Sequence, residues 1–152
     1  MKLTRYTDYG IRILMYVAMQ HEREKLFRIA EVTEVFTLSS NHVAKIIHHL
    51  GKLGYINTIR GKSGGFKLAV LPSEINLGQL IRELENSLAP IDCDEPRCRF
   101  TSVCAFKGIL GKAVAAYLAV LDEYTLADIV VNKSELMSTL SDLAIPVLTL
   151  ES

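Results

Sequence analysis

The stretch TLSSNHVAKIIHHLGKLGYINTIRGKSGGFKLAV, residues 37–70, narrows the fold more than any other part of the chain. Ser39 is a good N-cap, and Val43, Ile46, Ile47 and Leu50 follow at the three- and four-residue spacing of one helix face. Gly54 marks the stop. Tyr55 to Ile59 then alternates apolar and polar, and Phe66 to Val70 is again strand-like. Between them, Arg60 to Gly65 is basic and rich in glycine, so the pair reads as a β-hairpin. Upstream, Arg28 to Phe36 carries a short helical pattern. Two helices joined by a tight turn, the second opening on small polar residues, form a helix-turn-helix. A hairpin directly behind it is a wing.

The remaining segments extend this frame. Thr7 to about Gln20 reads as a mostly buried helix, with Thr7 and Asp8 at its start. After Pro72, a helix runs from Asn76 through Leu77, Leu80, Ile81 and Leu84. Ile109, Leu110, Ala113, Val114, Tyr117, Leu118 and Leu121 predict a long helix from about Ala105 to Tyr124. Thr125 to Val131 reads as a short helix, with a weaker one around Glu135 to Leu140. At 152 residues this is one domain. The expected class is mainly α with a small β-hairpin wing, a winged helix-turn-helix followed by a long C-terminal dimerisation helix. The expected organisation is a DNA-binding unit at 1–72, a linking helix and cysteine loop at 73–104, a dimerisation segment at 105–140 and a tail at 141–152.

Net charge is zero, but it is unevenly spread. Residues 1–72 hold eleven Lys and Arg against five Asp and Glu, and residues 73–152 hold six against twelve. All four histidines lie in the first part. A basic half suits a polyanion, although uneven surface composition produces the same figure. The motif favours double-stranded DNA. Ser39, Ser40, Asn41 and His42 occupy the opening turn of the second helix, where side chains reach base edges. Lys45 follows on the polar face, and Arg60, Lys62 and Ser63 sit in the wing turn as phosphate or minor-groove contacts. His48 and His49 read as an ordinary solvated face. The Gly-Lys-Ser of the wing is no P-loop, since Ile56 stands where its first glycine is required and no helix follows. The wing glycines are expected to allow positive φ and close approach to a DNA backbone.

The three cysteines, Cys93, Cys98 and Cys104, all fall within the twelve residues CDEPRCRFTSVC. An odd number of thiols is a poor disulfide framework. A structural zinc site needs a tighter knuckle and four ligands, and no histidine is near. Iron–sulfur clusters accept more open thiolate spacings. Arg97, Arg99 and Lys107 are close enough in sequence to favour thiolates and offset a cluster's charge. Spacing alone does not distinguish iron from other metals. No apolar run is long enough to cross a bilayer, and the N-terminus lacks a signal-peptide cleavage site, so a cytoplasmic protein with no membrane partner is expected.

Taken in order, LTRYTDYGIRILMYVA, SSNHVAKIIHHLGKLGYI, IRGKSGGFKL, the cysteine loop and LDEYTLADIV resemble the nitric-oxide-sensing iron–sulfur repressors of the winged-helix family. That family also includes cluster-biogenesis regulators. The likeness covers roughly residues 1 to 131. It implies that Cys93, Cys98 and Cys104 hold an iron–sulfur cluster, of two-iron or four-iron type, and that Asp8 of the partner protomer is the fourth ligand. It further implies a homodimer on a palindromic operator, a repressor of nitric-oxide detoxification genes, and nitric oxide as the signal for release. Asp8 also has an ordinary reading, since a carboxylate in a first helical turn meets the macrodipole favourably. The cluster-biogenesis members place a histidine three residues after the third cysteine, where this chain has Lys107. Two alternatives remain at this point: a regulator sensing iron–sulfur or redox status, and a zinc- or thiol-dependent enzyme.

Overall fold

The computed structural model describes residues 2–143, which form six helices and one hairpin. Helix α1 (Arg5–Met19) buries Ile13, Leu14 and Val17 completely. It begins before the expected Thr7. The cap is Thr4, whose hydroxyl accepts the Thr7 N–H at 3.3 Å. Thr7 is itself fully buried. The reason is tertiary: Glu85 accepts both the Thr4 N–H at 2.7 Å and its hydroxyl at 3.1 Å, fixing Thr4 as the entry to the helix.

Helices α2 (Ile29–Phe36) and α3 (Ser40–Lys52) are joined by a turn in which Thr37 takes a left-handed conformation, φ 53°. Ser39 caps α3 as expected, accepting the His42 N–H at 3.3 Å. Val43, Ile46, Ile47 and Leu50 are buried against the core. Gly54, at φ 86°, turns the chain out of the helix. Strands β1 (Ile56–Ile59) and β2 (Gly65–Leu68) pair antiparallel, from Ile56 opposite Leu68 to Ile59 opposite Gly65. Phe27 adds a rung that the sequence reading lacked. Its N–H and carbonyl exchange 2.9 Å bonds with Phe66, and the two buried rings pack tilted at 5.9 Å between centroids, tying the wing's base to the chain two residues before α2.

Helix α4 (Leu77–Leu84) is capped by Asn76, whose side chain accepts the Gln79 N–H at 2.9 Å. Helix α5 (Ala105–Asp122) stops short of Tyr124 because the Tyr124 carbonyl is taken by the Leu77 N–H at 2.9 Å. Thr125 to Val131 is not the expected helix but a run of turns. The N–H groups of Leu126 and Ala127 go to the carbonyls of Ile75 and Pro72, and the Asp128 carboxylate takes the Thr125 N–H and hydroxyl at 2.7 Å each. Leu126 is driven fully into the core by this arrangement. Helix α6 (Lys133–Leu143) is longer than its periodicity indicated. The tail beyond Leu143 lies outside the described residues.

Candidate functional site

Two surfaces concentrate the residues that sequence reasoning singled out. The first is the start of α3 and the wing. Ser39, Ser40, Asn41, His42 and Lys45 are all exposed, with the buried face of α3 turned away beneath them. Arg60, Lys62 and Ser63 are exposed at the wing turn. Only Gly61 there takes a positive φ, 113°. Gly64 and Gly65 serve the chain itself. A Cβ on Gly64 would run into the carbonyl of Ile59, and one on Gly65 into that of Phe27. The expected positive φ is thus met at Gly61 and not at Gly64 or Gly65, where the missing side chains let the wing fold tightly and dock on Phe27.

Sequence reasoning missed Tyr6 and Tyr9, which lie under the same helix. The His42 ring meets Tyr9 edge-on at 5.8 Å between centroids and lies tilted at 6.4 Å from Tyr6. The Tyr6 hydroxyl shares a 3.0 Å hydrogen bond with His49 Nδ1. His48 is exposed, as expected of a solvated face, but His49 is half-buried by this contact. Burial raises the Tyr6 phenol above its usual range. The one signal in the sequence is a pair of tyrosines three apart, which places both on one side of a helix.

The second surface is the loop between α4 and α5, which carries three free thiols. Cys93 is buried, and Cys98 and Cys104 are half-buried. The loop's backbone is satisfied from within. The Cys98 N–H donates to the Cys93 carbonyl at 2.9 Å, and the Thr101 hydroxyl donates to the Cys98 carbonyl at 2.8 Å. Asp92 accepts the N–H groups of Asp94 and Glu95, which hold its carboxyl below the usual range. Cys104 is the N-cap of α5, and its Sγ accepts the Lys107 N–H at 3.4 Å.

Cys93 lines a cavity of about 560 Å³ together with Asp92, Asp94 and Lys107. Cys98 lines another of about 410 Å³ with Arg97 and Arg99. Asp8 lines neither. It pairs with Arg12 one turn along α1, at 2.8 Å. Among the described residues, no three His, Cys, Asp or Glu side chains converge on a metal-holding point. The donor set nonetheless suits a thiolate-ligated group. Its candidate donors are sulfur, Arg97 and Arg99 flank the Cys98 cavity, and the Cys93 cavity carries Lys107 beside Asp92 and Asp94.

The ends of the loop are fixed. Arg82 of α4 holds the Asp122 carboxylate of α5 with two hydrogen bonds, at 2.5 and 2.8 Å. Gly78 makes room for that carboxylate, which a Cβ would strike. Leu118 packs inward from α5. On its other side Phe106, Ile109, Tyr117 and Val120 form an exposed apolar stripe along the helix, with Tyr124 exposed just beyond its end.

Residues 3–132 match the model of the Rrf2 family, described as an iron-dependent transcriptional regulator. The chain belongs to the Rrf2 family. It is 43% identical over 143 residues to the HTH-type transcriptional regulator NsrR of Bacillus subtilis (strain 168), covering 92% of this chain and 97% of that one. It is 42% identical to the NsrR of Shouchella clausii (strain KSM-K16), covering 92% and 95%. Among solved structures, T. potens IscR superposes with a TM-score of 0.67 at 25% identity, covering 100% of this chain and 94% of that one. CymR, the global cysteine regulator of B. subtilis, does so with a TM-score of 0.64 at 26% identity, covering 85% and 95%. The protein is a DNA-binding transcriptional regulator of winged-helix fold, and the enzyme alternative falls away. No helix among the described residues is long and apolar enough to cross a membrane.

Proposed function

We propose that the protein is a homodimeric, cytoplasmic repressor that holds an iron–sulfur cluster in the cysteine loop and releases operator DNA in response to nitric oxide. One observation carries the reading. Every thiol of a chain 43% identical to an NsrR regulator lies on the loop that ends as the cap of α5. Cys93, Cys98 and Cys104 would hold the cluster, with Asp8 of the partner protomer as fourth ligand. When bound, the cluster supplies iron with which nitric oxide reacts.

The chain's own contribution is positional. Residues 1–72 read DNA, 73–104 form the linking helix and loop, and 105–140 pair the protomers. The stripe on α5 is too apolar and too continuous to be left in water, and a second copy of the same stripe covers it in a symmetric dimer. Such a dimer presents two α3 helices to successive major grooves of a palindromic operator, about 34 Å apart. Ser39, Ser40, Asn41 and His42 read bases, while Lys45, Arg60, Lys62 and Ser63 hold the backbone or minor groove. Cys104 is both the loop's last residue and the first cap of α5, so whatever grips its sulfur also acts on the pairing helix. Loss of that grip shifts the two heads out of register and frees the DNA.

A second reading, a regulator of iron–sulfur or redox status, is favoured by the likeness to IscR over the whole chain. The higher identity to NsrR weighs against it, as does Lys107 where a ligand histidine would stand.

The test is iron and acid-labile sulfide per chain, with a visible spectrum, on protein prepared without oxygen. Stoichiometric iron and sulfide, lost in Cys98→Ala, is the expected result. Zinc, or no metal, would remove the sensor chemistry and leave the winged helix. A response to oxygen rather than nitric oxide would favour the second reading.

A further inference from the structure

Tyr6 and Tyr9 pack at the edge of the core, and their ring and hydroxyl contacts grip α3 at two places. His42 is in its opening turn, among the residues proposed to read bases, and His49 is two turns further along the same side. The apolar contacts beneath α3 hold it at a set distance from α1, but they are non-directional and tolerate a small rotation of the helix about its axis. A hydrogen bond is directional, and an edge-on ring contact prefers one geometry. The base from which the tyrosines act is also fixed. Thr4, two residues before Tyr6, is bonded through its N–H and hydroxyl to Glu85 at the end of α4.

We propose that Tyr6 and Tyr9 are positioning residues for operator recognition: by holding His49 and His42 they set the rotation of α3, and so the aim of Ser40 and Asn41 into the groove. The proposal rests on the reading that the start of α3 faces the operator. A rotation of a few degrees about the helix axis moves the ends of these short side chains sideways relative to base edges. Contacts from the wing to phosphates, borne on a separate element, are little affected. The signature of the clamp is thus a loss of sequence discrimination rather than a general loss of affinity.

The experiment uses the full chain. A duplex is selected from a randomised pool by the wild-type protein, and binding to it is compared with binding to a shuffled duplex. Tyr6→Phe, His49→Phe and the double variant form a cycle, with thermal melting as a check on folding. The expected result is about fivefold weaker binding to the selected duplex for each single variant, the loss of one hydrogen bond. The double variant should be no weaker than either single, and binding to the shuffled duplex should stay within about twofold. Tyr9→Phe, which keeps the ring, should bind like wild type, and Tyr9→Leu should not.

Equal losses on both duplexes, or additive losses in the double variant, would overturn the clamp. If wild-type protein selects a sequence that Tyr6→Phe binds as tightly, only the clamp falls. If it selects no sequence, the reading of α3 as the operator-facing helix falls, and the clamp with it. An intact cycle in a protein indifferent to nitric oxide would support the clamp while overturning the sensor reading.

Discussion

Glu31 shows how single side chains hold the DNA-binding half together. Its carboxylate accepts from both terminal nitrogens of Arg23, at 2.6 and 2.8 Å, and from the Tyr16 hydroxyl at 2.8 Å. The Arg23 guanidinium in turn lies 4.1 Å above the Phe27 ring, at the base of the wing. Hydrogen bonding from Arg23 is the main cause that holds the Glu31 carboxyl below its ordinary value of 4.5, against a smaller opposing effect of burial. A carboxyl lowered on folding adds stability above its unfolded pKa, and this is lost as pH falls through the folded one. Glu31→Gln should therefore be less stable than wild type at pH 7. The gap in urea midpoint should narrow steadily below about pH 4.5. A gap that is constant across this range would show that the carboxylate's charge is irrelevant. Ser39 makes a second case at this level. Ser39→Ala removes the hydroxyl that caps α3 and should cost about 1 kcal/mol in urea unfolding.

Among the elements, α5 is the one proposed to carry the assembly. Ile109 is 60% exposed and lies mid-stripe, so Ile109→Glu leaves the protomer's own packing untouched while putting two charges into the proposed seam. Sedimentation should show a monomer with the wild-type helical content, and operator binding should weaken by an order of magnitude or more. A dimer of unchanged affinity would exclude this face as the seam. The helices were legible because their apolar positions repeat at helical spacing, and Ser39, Asn76 and Gly54 stop or start them through their own local chemistry. The errors came where distant partners decide. Helix α1 starts ahead of Thr7, capped by Thr4, because Glu85, eighty-one residues away, holds Thr4. TLADIVV has a helix's apolar content, but its backbone N–H groups are claimed by Pro72 and Ile75. Phe27 pairs with Phe66 across the chain, which no local pattern announces. Of the tyrosine grip on α3, only the three-residue spacing of Tyr6 and Tyr9 was legible; their partners on α3 are distant in the chain.

For the whole molecule, the basic and acidic halves are proposed to have separate tasks. The N-terminal half carries the larger share of the cations, eleven Lys and Arg against six, so log affinity for operator should fall linearly with log salt, and Arg60→Ala should reduce that slope by about one contact. The cysteines were legible as a group because they share one short stretch. A shared ligand site was not, because Cys93 and Cys98 open into different cavities and Asp8 belongs to another element. The proposed ligand set, drawn from two protomers, leaves no local spacing to read. The decisive measurement is operator affinity of iron-loaded protein, prepared without oxygen, as nitric oxide is added and the visible spectrum of the cluster is followed in the same sample. The expected result is that affinity falls in step with loss of the cluster spectrum. Affinity that stays unchanged while the spectrum collapses would contradict the link between the cysteine loop and the DNA-reading face.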